Sequence, residues 1–416
     1  MTVAAEHRAT YRDVFAVAEF RVLLGTYALL LISESVKMLA LSVLVYASTG
    51  SAALAALAYA AGFLPQALGG TLLLSLADRW RPRRLLVAYD VLRLAVTAVL
   101  ALSVLPPAAA MLLVFVAGSL SPVAQAARTA LLADLLDGDA YVLGRSLFTV
   151  TSGAMQVVGA AVGGLMLIAG GPEGALWLAA AACGVSAVVV RLALAHRPAR
   201  AAAEAGAIRQ TWRVNGLLLR DAPVRRLLLA QWLPGALMVA SEGVVVPYAA
   251  QLGREGAAGM LLAAAAFGML TGEFLVARVV APPLRERLTP WLALLLGVPL
   301  AAFLWRPGLV AAALVLALAS AGFSYQLGLA RRFLEAAPPQ RRGQAFGLAG
   351  TGMMVLQGLA MAGAGALAEF LAPEVVIALA GVASVLATLM LWRTLRPPLP
   401  LPARPHHQGQ AVGRGR

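Results

Sequence analysis

The chain has 416 residues, 61% of them hydrophobic and only 12% charged, which is more apolar surface than a soluble fold of this length can hide, so lipid must be its solvent. Helices follow, because inside a bilayer every backbone N–H and C=O has to be satisfied within its own segment, and the long unbroken apolar runs exclude a barrel of alternating strands. A net charge of +14 would point to nucleic acid in a soluble chain. Here the placement of arginine accounts for it, and no nucleic-acid partner is expected.

Residues 1–20 are polar, with Arg8, Arg12, Asp13 and Glu19. The apolar stretch that follows is too long for a signal peptide and lacks a cleavage pattern, so it is predicted to stay as an anchor. About twelve such spans are predicted, each long enough or nearly so to cross a hydrocarbon core of roughly 30 Å. Numbered in chain order as spans 1 to 12, they lie near residues 21–48, 52–76, 85–105, 108–132, 145–170, 173–194, 224–250, 257–280, 288–304, 308–334, 344–371 and 373–394. Of the 33 basic residues, 29 fall on the N-terminus, on every second connection and on the C-terminal tail, and only Arg254 and Arg306 on the opposite connections. By the positive-inside rule both ends are then cytoplasmic. Lys37 is the only lysine; that arginine bias fits a GC-rich bacterial genome, and the expected location is a bacterial cytoplasmic (inner) membrane.

The longest connection, residues 195–223, carries Arg197, Arg200, Arg209, Arg213 and Arg220 and divides six spans from six. The expected organisation is a cytoplasmic N-terminus (1–20), a six-helix bundle (21–194), a cytoplasmic linker (195–223), a second six-helix bundle (224–394) and a disordered cytoplasmic tail (395–416). Within the linker, Ile208 to Leu219 reads either as an interfacial helix with Trp212 at the lipid boundary or as a solvated loop. Cys183, in span 6, is the only cysteine, so no intramolecular disulfide is possible; no Cys or His cluster offers a metal site, and His406 and His407 sit in the Pro/Gly/Arg-rich tail.

The halves resemble each other at an offset of about 200 residues, and internal repeats are how many transporter folds are built. Arg21 to Tyr27 matches Arg226 to Trp232. Ser33, Glu34, Ser35 and Val36 match Ser241, Glu242, Gly243 and Val244, and Gly153, Met155, Gly159 and Gly164 recur as Gly352, Met354, Gly358 and Gly363.

Between spans 2 and 3 the chain reads Leu76 Ala77 Asp78 Arg79 Trp80 Arg81 Pro82 Arg83 Arg84 Leu85, which resembles the signature loop of the major facilitator superfamily, with Leu74 and Arg81 standing where that family usually has glycine. Ala127 to Asp134 and Gln156 to Gly159 resemble the branch of the enterobactin exporter, macrolide efflux proteins and actinobacterial metabolite exporters. The resemblance implies an all-α fold of twelve transmembrane helices in two six-helix bundles related by pseudo-two-fold symmetry, with spans 1, 4, 7 and 10 lining a central path. It also implies that Asp78, with Arg79, Arg83 and Arg84, forms a conformational latch; the plainer alternative is that Asp78 neutralises neighbouring arginines. Span 5 resembles the antiporter motif of proton-coupled drug exporters, as Gly159 Ala160 Ala161 Val162 Gly163 Gly164. Small residues at this spacing let helices pack backbone to backbone, so Gly159, Gly163 and Gly164, with Gly358 and Gly363, read first as packing positions.

A charge inside a span costs roughly 2.5–3.5 kcal/mol on insertion scales, so its retention is a functional hint. Glu34 and Lys37, and Asp90 and Arg93, are each three apart and able to pair locally. Moving a carboxylate out of water favours its protonated form, the property a proton carrier needs near neutral pH. Glu242, with no basic neighbour on its helix, is the first candidate for proton or cation coupling and Glu34 the second. Glu273 is the third, with an ion pair to Arg278 as its alternative. Cavity-lining candidates are Ser33, Lys37, Ser119, Ser121, Gln125, Ser324, Tyr325 and Gln326.

These readings converge on a proton-coupled exporter, of the multidrug-antiporter kind, for a small amphipathic or hydrophobic molecule such as a drug, secondary metabolite or siderophore. It would work by alternating access, need no cofactor beyond the proton gradient, and act as a monomer. An uptake carrier of the same fold and a non-transporting membrane sensor or scaffold remain alternatives. An enzyme is not expected, since no His cluster, nucleophile elbow or phosphate loop is present.

Overall fold

The computed structural model describes residues 10–63, 65, 80–198, 207–253 and 256–396. The readings placed on Leu74, Asp78, Arg79, Arg254, His406 and His407 lie outside the described residues. Within them every regular element is a helix, and nine helical segments are long and apolar enough to cross a membrane.

One of the nine, Gly138–Ala193, holds both spans 5 and 6. Gly171 breaks it with φ 67°, immediately before Pro172; glycine accepts that left-handed turn without the Cβ clash any other residue would suffer. Span 3, Pro82–Ala101, has 20 residues and so reaches about 30 Å despite carrying Asp90 and Arg93. Of span 2, Ala52–Ala60 is described. Prolines open spans 3, 4, 9 and 12 at Pro82, Pro107, Pro282 and Pro373, where a missing N–H costs nothing because the first turn has no acceptor for it.

Small residues set which helices touch. A methyl added to Gly159 in span 5 would lie 2.7 Å from the Cβ of Ser35 and 3.2 Å from the Cα of Ile32 in span 1, and one on Gly163 would meet Leu39 at 3.2 Å. The second half repeats that pairing with spans 7 and 11. A methyl on Gly243 would lie 3.0 Å from the Met361 carbonyl oxygen, and one on Gly352 would meet the Trp232 ring, whose Nε1 donates to the carbonyl of Ala349 at 2.7 Å. Gly358 is buried. Gly363, expected to pack, has no neighbour within 4 Å: it falls on a face of span 11 that no described residue covers in this conformation.

The two halves meet on the side where connections 50–51, 171–172, 306–308 and 368–372 gather, the outer side by the arginine count. There a methyl on Gly164 of span 5 would come within 2.9 Å of the Cα of Gly259 in span 8, and one on Gly365 of span 11 would lie 3.0 Å from the Ala52 carbonyl oxygen of span 2. Glu369 ties the same seam, accepting from the Ser51 hydroxyl at 2.6 Å and from the Ala53 N–H at 2.8 Å. At the opposite end Gly343, Gly347 and Gly350 of span 11 have nothing within 4 Å, and Arg145, Ser146 and Thr149 of span 5 are exposed. Among the described residues, contacts between the halves thus concentrate at the first of these two ends.

Of the two readings of the linker, the helix is realised, over Ala207–Arg220. Val214 and Leu218 are buried against a core that includes Val224 and Leu227, while Trp212 is exposed.

Candidate functional site

Three of the four spans expected to line a central path break partway along their length. Span 4 consists of Pro107–Gly118 and Ser121–Leu135, interrupted ahead of Pro122. Span 7 passes through a 3₁₀ turn, Ala240–Val244, and span 10 through another, Gly322–Ser324, while span 1 runs unbroken over Ala18–Thr49. Tightened turns put backbone carbonyls out of register, and discontinuous helices of this kind form substrate and ion sites in carriers. Three hydroxyls at the breaks serve their own helices: Ser119 donates to Phe115 O at 2.9 Å, Ser241 to Met238 O at 2.7 Å and Ser324 to Ala321 O at 2.8 Å. Tyr325 is buried and donates its hydroxyl to the carbonyl of Gln231. Gln326, Ser121 and Gln125 are half-buried.

Glu242 sits inside the span 7 break, with the Gly243 backbone against span 11. Among the described residues its carboxylate has no hydrogen bond or ion pair. Tyr59 of span 2 lies within electrostatic range of it, so the carboxylate stands where the two halves meet.

Its repeat-related counterpart is surrounded differently. Glu34 is bound by Lys37 Nζ at 2.6 Å and by Arg93 Nε at 2.7 Å. Arg93 also reaches Asp90 Oδ1 at 3.3 Å, the Leu30 carbonyl at 3.2 Å and the Ser33 hydroxyl, and Asp90 Oδ2 accepts from Ser186 of span 6 at 2.6 Å. Both local pairs expected from the i, i+3 spacing form, and Arg93 joins them into one neutral network of two carboxylates and two cations across spans 1 and 3. Such a buried set is held by mutual attraction only while complete.

Glu273 is exposed on span 8 and makes no ion pair with Arg278 or with any other described residue. Five residues along a helix turn the two side chains to opposite faces, whereas three or four would align them. Of the latch arginines, Arg83 contacts His196 at 2.6 Å and donates to the carbonyl of Arg191 at the end of span 6, and Arg84 is exposed.

Two residues escaped the sequence reading. Arg128, grouped there with the cytoplasmic arginines, is buried: span 4 continues to Leu135, which sets Arg128 two turns inside the helix, 2% exposed, with its Cζ 5.5 Å from the centre of the Tyr27 ring. Its Nε and Nη1 have no acceptor among the described residues. Hydropathy carried the signal, since Leu131 and Leu132 follow Arg128. Glu369 is the other, and nothing local in the sequence marks a partner 318 residues away.

No curated protein sequence matches the chain. Solved structures of similar fold include a peptide transporter POT in complex with sulfate, with TM-score 0.71, 15% identity, and 93% of this chain and 95% of that one covered. A mutant of the nucleoside transporter NupG gives TM-score 0.71 at 14% identity, covering 90% and 99%. A bacterial homolog of the human lysosomal transporter Spinster, inward-facing and unoccupied, gives 0.65 at 14%, covering 93% and 96%. At these identities the likeness establishes fold alone. The sequence model of the Major Facilitator Superfamily matches residues 23–334, and the chain, a multi-pass membrane transporter rather than an enzyme, belongs to that family.

Proposed function

We propose that the chain is a secondary exporter of a small amphipathic or hydrophobic molecule, driven by inward proton movement through alternating access. The observation that carries this reading is the contrast between the two intramembrane glutamates: Glu34 is held by two cations, while Glu242 stands in a helix break between the halves with no partner among the described residues. An ion-paired carboxylate resists protonation, and a solitary one in a low-dielectric setting accepts a proton readily. Glu242 therefore takes the coupling role, and the Glu34 network keeps the first bundle rigid. Protonating Glu242 removes a charge from the seam and changes the relative cost of separating the halves on the outer side. That differential is what a ligand needs to shift a conformational equilibrium.

In this reading the protein works as a monomer in a bacterial cytoplasmic membrane with both termini inside, and the Asp78 loop secures the cytoplasmic side when it closes. Export, efflux of drug-like compounds and the antiport stoichiometry rest on the resemblance of the span 4 and span 5 motifs to exporters. The test is transport in everted vesicles carrying the chain, with cationic dyes and lipophilic antibiotics as substrates and a fluorescent report of lumenal pH. Substrate-dependent proton efflux that is lost in Glu242→Gln is the expected result. Uptake of the same compounds into intact cells, with no proton movement in everted vesicles, would replace export by the uptake alternative.

A further inference from the structure

Arg128 is the largest fully buried side chain among the described residues, and a guanidinium keeps its charge under all ordinary conditions. Yet Nε and Nη1 find no acceptor there, and the nearby carboxylates have none to spare. Glu34 gives one oxygen to Lys37 and the other to Arg93; Asp90 gives one to Arg93 and the other to Ser186. Within the first bundle's described charged layer two carboxylates thus face three cations, and the unmatched positive charge is that of Arg128. One turn earlier on the same helix, Gln125 Oε1 is also buried without a donor. A half-turn of that carboxamide would put its NH₂ donor where the unpartnered oxygen now lies. Beside the buried Arg128, Gln125 is half-buried and Thr129 is exposed. The Tyr27 ring, stacked on Phe148 at 4.9 Å, closes the opposite face of the guanidinium and supplies an apolar wall.

A planar fork of unmet N–H donors beside a turnable amide and an aromatic wall matches one chemistry, a carboxylate or similar oxyanion on an apolar body. We propose that Arg128 receives the anionic head of an amphipathic substrate, with Gln125 as its second donor and Tyr27 and Phe148 against the apolar part. The inference rests on reading the chain as a carrier of amphipathic molecules but is independent of the direction and coupling of transport. It is therefore tested by binding.

The probes are 2-naphthoate and 2-naphthylmethylammonium, matched in ring and opposite in charge, titrated against the full chain in lipid nanodiscs with ring fluorescence and thermal unfolding as readouts, empty nanodiscs serving as the partition control. Naphthoate is expected to bind and to raise the unfolding temperature, the ammonium probe to bind at least tenfold more weakly. Arg128→Gln should lower naphthoate affinity tenfold or more, and Arg128→Lys, which keeps the charge but loses the fork, should fall between. If Arg128→Gln does not fold, Arg128→Lys and Gln125→Leu carry the test, each expected to weaken naphthoate severalfold while leaving the ammonium probe unchanged. Equal binding of both probes, no naphthoate binding to the unmodified chain, or unchanged binding in the Arg128 variants would overturn the proposal; the last outcome would mean that water alone satisfies the guanidinium. None of these failures touches the proton test at Glu242.

Discussion

Spans 1 and 7 occupy repeat-related positions and carry the same Ser-Glu-x-Val sequence, yet their glutamates live in opposite environments. Glu34 belongs to a closed, neutral network that includes Lys37, Arg93 and Asp90, in a helix that runs unbroken over Ala18–Thr49. Glu242 joins no network among the described residues and lies in a 3₁₀ break. On the function proposed above, the paired site serves structure and the solitary one is free to change charge. A carboxylate with two cationic partners stabilises a fold, while a solitary one is unstable in its charged form and therefore responsive.

The largest expected effect comes from breaking the closed side of this comparison. Arg93→Met leaves the carboxylates of Glu34 and buried Asp90 with Lys37 as the one cation of their network and should destabilise the first bundle by about 3–5 kcal/mol, read as loss of folded protein in a detergent thermal-unfolding assay. Glu242→Gln should leave unfolding within about 1 kcal/mol of the parent, as expected where no partner is lost, yet abolish substrate-driven proton movement. A variant pair with the reverse pattern, Glu242→Gln unfolded and Arg93→Met intact, would invert the assignment.

Much of the fold was legible beforehand, for identifiable reasons. Hydropathy marks spans because lipid selects them residue by residue, and i, i+3 spacing predicts Glu34–Lys37 and Asp90–Arg93 because neighbours on one helix are fixed by its pitch. The bond from Arg93 to Glu34 crosses between helices, and periodicity says nothing about which helices become neighbours. The same limit hid Glu369 on Ser51 and left Arg128 counted with the arginines at the cytoplasmic ends of the spans, since its burial depends on how far span 4 continues beyond it. Ser119 and Ser324 look like cavity groups in sequence, but each hydroxyl is turned to a carbonyl one turn back, as small hydroxyl side chains in helices often are.

A smaller effect is expected at the seam between spans 5 and 8. Gly259→Val places a branched side chain against the Cα of Gly164, and overpacking of this kind costs about 1–3 kcal/mol. Because the contact is made only with the outer side closed, the cost falls on that state alone. Spin labels at Ser48 and Phe370 should show a population at longer distance in the variant; an unchanged distance distribution would mean that spans 5 and 8 do not govern the outer closure.

The smallest effect belongs to Glu369. Its bonds to the Ser51 hydroxyl and to the Ala53 N–H hold its carboxyl below the ordinary carboxylate value. A depressed proton affinity means the charged form is favoured in the closed state, so the contribution is complete above the usual value of about 4.3 and is lost as the outer pH falls through the lowered one. Glu369→Gln should remove that dependence and shift the same label distances by a few-fold in population at most, as suits an exposed bond. Persistence of the acid-induced shift in the variant would assign it to another group.

The central claim is that Glu242 holds the proton exchanged for substrate. The most direct test measures proton release from the purified chain in weakly buffered nanodiscs when a transported compound is added, with a pH indicator dye. The account predicts release from the parent chain near neutral pH, the same release from Lys37→Met, which alters only the Glu34 side, and none from Glu242→Gln. Undiminished release from Glu242→Gln would contradict it and place the exchanging proton elsewhere in the molecule.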